Sequence, residues 1–258
     1  MKKMLDVCEL FSTHYDISFN PSKSKVVYFG TSSTVNTAFR FAGKTIDVSQ
    51  MEQHLGYYIG TDSATSQIQQ TIGQLYGNVN LLLAQFSKTN IDIKYKLFKS
   101  FCMSVYGSPL WNYSDEICQA FYVAWRKCIR RLFDVPPMTH CALLDIICDD
   151  LPVAMQLHIR FIKFFQTCLK SDNVCIRMCS KLVMIGSSSS VCDSLTFLAD
   201  KYNFQQDDVS SLNVQGLNAC DVADHVLQRG GLIRDLLLYN FDNDDVNVKA
   251  LIDELCVN

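Results

Sequence analysis

No apolar run in the 258 residues approaches the roughly 20 needed to cross a bilayer. The opening stretch MKKMLDVCELFSTHYD breaks its hydrophobic face with Asp6 and Glu9 too early for a secretion signal. From these the chain is expected in the cytosol or nucleus, without a membrane partner. No Cys-x-x-Cys occurs among the twelve cysteines. The nearest approaches to a zinc pattern, Cys175 with Cys179 and His140 and Cys141 with Cys148, do not supply four ligands at a recognised spacing, so no metal is expected. The sequence also lacks a Walker loop and a Gly-x-Ser-x-Gly elbow, and its five histidines are dispersed, which leaves nucleotide hydrolysis and Ser-His chemistry without a footing. No internal repeat is present.

What is present is a hydrophobic fraction of 48%, enough for one or two compact cores. Cys102, Cys128 and Cys168 fall on helical apolar faces, where they read as reduced core thiols. The net charge of −3 conceals an asymmetry. Residues 88–131 carry eight basic and three acidic side chains, a local +5, and residues 190–258 carry four basic and twelve acidic ones, a local −8. The first segment would attract a polyanion and the second would repel it.

Met4, Leu5, Val7, Cys8 and Phe11 recur at helical spacing, so the chain opens on a short amphipathic helix. The period then changes. Ile17 and Phe19, and after the Asn-Pro-Ser-Lys turn the run Val26, Val27, Tyr28 and Phe29, predict two strands or one bent strand, with further strand-like pieces at TAFRF and HLGYYIG. From residue 61 the pattern is helical. Thr61, Asp62 and Ser63 offer cap oxygens. Ile68, Ile72, Leu75, Val79 and Leu82 form a stripe. Ile93, Leu97, Phe101 and Val105 predict one face of a second helix that stops at Gly107, and a third runs over residues 115–133. Pro152 opens another, with Met155, Ile159, Ile162 and Phe165 inward. Residues 186–190, GSSSS, read as a flexible linker to an acidic tail with helical pieces at VCDSLTFLADKY and NVKALIDELCV. The expected fold class is mainly α: a small α/β region (1–62), a helical bundle (63–135), a helical extension (136–185) and a partly helical tail (186–258).

The order of these elements, a helix, then DISFNPSKSKVVYF, then HLGYYIG, then helices carrying YGSPLW and WRKCIRRLF, resembles the end of the reverse transcriptases of non-LTR (LINE-like) retrotransposons. The resemblance covers about residues 1–170. It implies that the α/β region is the remnant of a polymerase palm, that the bundle is the thumb, and that residues 54–59 are the primer grip, with His54 and Gly56 beside nucleic acid. It implies that Asn20 and Lys23 match a palm motif whose lysine lies near the incoming nucleotide, with Lys25 alongside; a cation there could stabilise triphosphate charge or protonate pyrophosphate. Arg126, Lys127, Arg130 and Arg131, two pairs four residues apart, form a cationic stripe that in a thumb would face the phosphates of an RNA or DNA duplex. Turn lysines and helix-surface arginines are equally ordinary solvated groups.

Nucleotidyl transfer in that family uses two magnesium ions held by palm carboxylates placed before the opening helix. Asp149 and Asp150, in ICDDLP, most resemble such a pair, yet they follow the thumb-like helices and precede Pro152, which suits a helix start better. Asp207, Asp208, Asp244 and Asp245 read as surface. The chain is therefore expected to be a truncated member without polymerase activity of its own, binding nucleic acid weakly, and needing a protein partner over the exposed palm face. Two alternatives stay open: a non-enzymatic helical interaction module, and an incomplete reading of an active polymerase.

Overall fold

The computed structural model describes residues 1–29, 38–60, 63–186 and 189–212. The expected cap oxygens of Thr61 and Asp62, the linker serines 187–188, and the tail with NVKALIDELCV, Asp244 and Asp245 lie outside the described residues. The fold is mainly helical with a small sheet region near the N-terminus, and it divides into two compact units, Met1–Gln70 and Thr71–Asn258. Among the described residues no helix is long and apolar enough to cross a membrane.

In the first unit, helix α1 (Lys2–His14) ends where Asp16 takes a positive φ of 52°. The expected hairpin at Asn-Pro-Ser-Lys does not form. Asn20 accepts a hydrogen bond from the Ser22 amide at 3.0 Å, Pro21 has no donor to give a strand ladder, and Pro21–Lys23 winds into a 3-10 turn instead. Strand β1 (Lys25–Val27) leaves that turn and pairs in parallel with β3 (Lys44–Ser49), with Lys25 opposite Asp47. Strand β2 (Phe39–Phe41) lies antiparallel on the other side of β3, giving the order β1-β3-β2. Val26, Phe41 and Ile46 form the buried cluster, with Leu5 and Cys8 of α1 packed on it. The carboxylate of Glu9 accepts from the Ala42 amide, which ties α1 to the β2–β3 turn. The apolar stripe of α1 is thus divided: Leu5 and Cys8 turn inward, whereas Met4, Val7 and Leu10 are exposed.

Strands β4 (Met51–His54) and β5 (Tyr57–Gly60) form a separate two-residue hairpin, His54 opposite Tyr57. Leu55 and Gly56 both have positive φ, 50° and 82°, the pattern of a type I′ turn that matches strand twist. Glycine suits such a position, but a leucine is strained there. At Gly60, with φ 138°, a Cβ would lie 2.0 Å from the Gln50 carbonyl oxygen, so only glycine fits.

The second unit is all-helical. Helix α2 (Ser63–Gln85) buries Ile68, Leu75, Val79 and Leu82 of its expected stripe. Helix α3 (Ile91–Leu97) is capped by Asn90 and continues into a π turn, Phe98–Cys102. It ends at Cys102, short of the expected stop at Gly107; its buried side chains are Tyr95, Phe98 and Cys102, with Val105 buried just beyond it, while Ile93 and Phe101 are exposed, so the inward face differs from the expected one. Apolar residues occupy both sides of this segment, and the π turn resets the phase between them. Helix α4 (Ile117–Leu132) buries Phe121, Trp125, Cys128, Ile129 and Leu132. Helix α5 (Cys141–Cys148) and helix α6 (Val153–Leu169) follow, the latter burying Leu157, His158, Phe161, Ile162 and Phe165. Met155 and Ile159, expected inward, are half-buried. Helix α7 (Val174–Met184) starts at an Asn173 cap, and helix α8 (Ser190–Tyr202) at a Ser189 cap.

Residue 186 is no packing boundary. The Ser194 hydroxyl on α8 donates to the Trp111 carbonyl and accepts from the Tyr113 amide, both at 3.0 Å, and Tyr202 bonds His158 at 2.8 Å. Beyond α8, Gln166 of α6 donates to the carbonyls of Val209 and Leu212. The early part of the supposed tail is therefore built into the helical core. Its apolar residues, Leu195, Leu198 and Val209, supply the reason, since all three are buried.

Candidate nucleic-acid interface

Helix α4 turns one side to the core and leaves four cations on the remainder, but the structure separates them into two rows. Arg126 and Arg130 are half-buried. Arg130 donates through Nε and Nη2 to the Thr139 carbonyl, at 3.2 and 2.7 Å, and so fastens the loop between α4 and α5. Arg126 faces Asp145 of α5 in a cleft. Lys127 and Arg131 form the other row, exposed and one turn apart, and neither makes a salt bridge with another described residue. Arg131 lies near Tyr76 of α2: burial pushes the Tyr76 phenol up, and the Arg131 charge opposes that shift. An arginine beside a half-exposed ring suits stacking as well as phosphate contact. Only half of the stripe is thus presented outward.

The residues matched to the palm lie in the first unit. Lys23 ends the 3-10 turn with its side chain exposed, and Asn20 spends its side-chain oxygen on the turn itself. Lys25 is committed to Asp47 across the parallel pair at 2.7 Å. The hydrogen bond and charge of each partner raise the lysine pKa and lower that of the aspartate. Both groups are well exposed, and such a pair exchanges readily with another anion. His54 and Gly56 stand at the end and tip of the β4–β5 hairpin, both exposed.

Asp149 and Asp150 do not fit a divalent metal. Asp149 takes a positive φ of 50° after α5, and Asp150 accepts from Lys99 at 2.8 Å and from the Tyr95 hydroxyl at 3.3 Å, fastening α3 to the α5–α6 junction. They lie between the end of α5 and the Pro152 cap of α6, just ahead of the helix start at which the sequence places them. Among the described residues no group of three His, Cys, Asp or Glu is placed to hold a metal ion.

One group of residues was not foreseen. A cleft of about 230 Å³ opens between α4, α5, the start of α6 and α8, lined by Arg126, Asp145 and Lys201 over Tyr122 and Trp125. Burial raises the Asp145 pKa to about 6, Arg126 pulling it down and Asp150 pushing it further up. Behind the cleft, His158 lies buried with Nδ1 2.8 Å from the Tyr202 hydroxyl and Nε2 3.4 Å from that of Tyr122. Burial, with the charge of Lys201 adding to it, drops its pKa to about 3, so the imidazole is neutral. Asp145 and Lys201 are 56 residues apart in the sequence, and neither belongs to a motif; only the three-dimensional packing brings them together.

No protein-family model matches the sequence, and neither a curated protein nor a solved structure matches it.

Proposed function

We propose that the chain is a protein of the non-LTR reverse-transcriptase type whose helices α2 to α4 act as a thumb. It holds a nucleic-acid duplex by its phosphates, in the cytosol or nucleus, rather than carrying out polymerisation by itself. The observation that carries this reading is the outward row of Lys127 and Arg131, one turn apart on the helix that the resemblance sets beside the duplex. Such contacts position a duplex without reading its sequence. Lys23, exposed at the end of its turn, is the palm-side cation of the same reading. Arg130 contributes by shaping the unit, since its guanidinium donates to the Thr139 carbonyl, and Arg126 faces the cleft it shares with Asp145.

The test is binding of a short RNA–DNA duplex to the full chain across a salt series. Lys127→Ala with Arg131→Ala should weaken binding equally for unrelated sequences and reduce the slope of log K against log salt by about 2. Unchanged affinity and slope in a folded double variant would remove the reading.

A second reading, a helical protein-interaction module, is favoured by the outer side of α1. Met4, Val7 and Leu10 are 70%, 62% and 72% exposed on a helix whose opposite side packs on the sheet. Contiguous exposed apolar side chains of this kind mark interaction surfaces. A Met4→Ser, Val7→Ser, Leu10→Ser variant that remains folded and binds duplex normally, but loses self-association or partner binding, would support it.

A further inference from the structure

The cleft between α4, α5, α6 and α8 has its own charge balance. Arg126 enters from α4 and Lys201 from α8, against a single carboxylate, Asp145. Arg126 and Asp145 do not close into a salt bridge, so the guanidinium keeps its donors available toward the cleft. The Lys201 ammonium is held at the rim over two rings, 5.6 Å from the centroid of Phe197 and 5.9 Å from that of Tyr202. The floor is formed by Tyr122 and Trp125, both in the core and both fixed by packing. Two cations from helices far apart in the chain therefore converge on one rigid hollow, with one positive charge unbalanced while Asp145 is ionised.

The size of the hollow limits what can enter. At about 230 Å³ it is several times the roughly 30 Å³ share of one water molecule, and below the range of roughly 300–1,000 Å³ typical of drug-sized ligands. It has room for a tetrahedral oxyanion and a few attached atoms, and none for a base-paired strand. A planar guanidinium and an ammonium lining one cleft suit a group that presents several acceptor oxygens at once. We propose that this cleft binds a small oxyanion of the phosphate class, free or as the phosphate of a small ester, through Arg126 and Lys201. The site is separate from the duplex-holding row of Lys127 and Arg131, and the failure of either reading leaves the other standing.

The experiment is calorimetric or NMR titration of the full chain, in chloride buffer, with inorganic phosphate, with glycerol 3-phosphate and with glycerol. Saturable binding of a phosphate compound, none of glycerol, and a loss of about tenfold or more in affinity in Lys201→Gln and in Arg126→Gln are expected. Lys127→Gln should bind as the parent does. Preference for glycerol 3-phosphate over inorganic phosphate would identify the ester as the ligand, and the reverse would identify the free ion. Absence of binding up to about 10 mM, or equal affinity in parent and Lys201→Gln, would overturn the proposal. Because Lys201 lies at the exposed rim, Lys201→Gln keeps the test decisive even if Arg126→Gln melts early.

Discussion

The two units differ in how much of their apolar surface they cover. The first closes a sheet of short strands over Val26, Phe41 and Ile46 and leaves Met4, Val7 and Leu10 of α1 in the open. The second seals Trp111, Phe121, Phe161, Ile162 and Leu195 completely and threads a buried polar web of Tyr113, Ser194, His158 and Tyr202 through them. Stability from burial scales with the area removed from water, so the second unit supplies most of it. The first supplies exposed apolar groups on α1. The candidate interface departs from that division: its cations stand on α4 of the second unit, where a contact with phosphate would gain from a rigid base.

Trp111→Ala tests the contrast hardest. The indole is fully buried and meets Phe121 edge-on at 5.2 Å, so the second unit should lose about 3–5 kcal/mol. Hydrogen exchange should quicken in α4 and α6 and stay unchanged in β1 and β3. Phe41→Ala should do the opposite, and a common response to both substitutions would break the comparison.

The next effect is on acid stability. His158 has a folded pKa of about 3 against 6.5 for an unperturbed histidine. With a depressed folded value, the contribution of the neutral ring is complete above pH 6.5 and is lost as pH falls toward 3, on the order of 2–3 kcal/mol once relaxation is allowed for. Urea midpoints of the second unit should therefore fall over that window. His158→Leu should be weaker at pH 7, with the bonds to the Tyr122 and Tyr202 hydroxyls lost, yet flatter with pH. A steep acid limb retained in that variant would assign the loss elsewhere.

The smallest expected effect lies at the hairpin tip. Leu55 holds a positive φ with its side chain in solvent, so Leu55→Asn should stabilise the β4–β5 hairpin by about 0.5–1 kcal/mol, read from its exchange rates. No change, or destabilisation, would mean that the leucine makes a contact that offsets its strain.

Legibility in the sequence followed the strength of each pattern. The stripe of α2 and the inner face of α4 are legible because polar residues mark their outer sides. The inner face of α3 is not, since Ile93, Leu97 and Phe101 compete with Tyr95, Phe98 and Cys102 for the core and periodicity cannot choose between them. Asn20 and Pro21 announce a turn, but not that the strand after it pairs with a partner 22 residues on rather than with the one before. The helical character of VCDSLTFLADKY is legible, whereas its place in the core depends on Ser194, Leu195 and Leu198 meeting residues far away in the chain. Within RKCIRR the cations are plain, and their division into an inward and an outward row depends on where α5 lies.

The π turn at Phe98–Cys102 gives the chain one place where length and phase are uncoupled. An α-helix advances about 100° per residue, so a deletion elsewhere in α3 would swing every later side chain around the axis. Within the wide turn the same deletion could be taken up by a return to ordinary winding, moving Tyr95 relative to Cys102 while the caps at Asn90 and Met103 stay in place. The segment is thus the point at which this helix can gain or lose a residue and still present one face to the core.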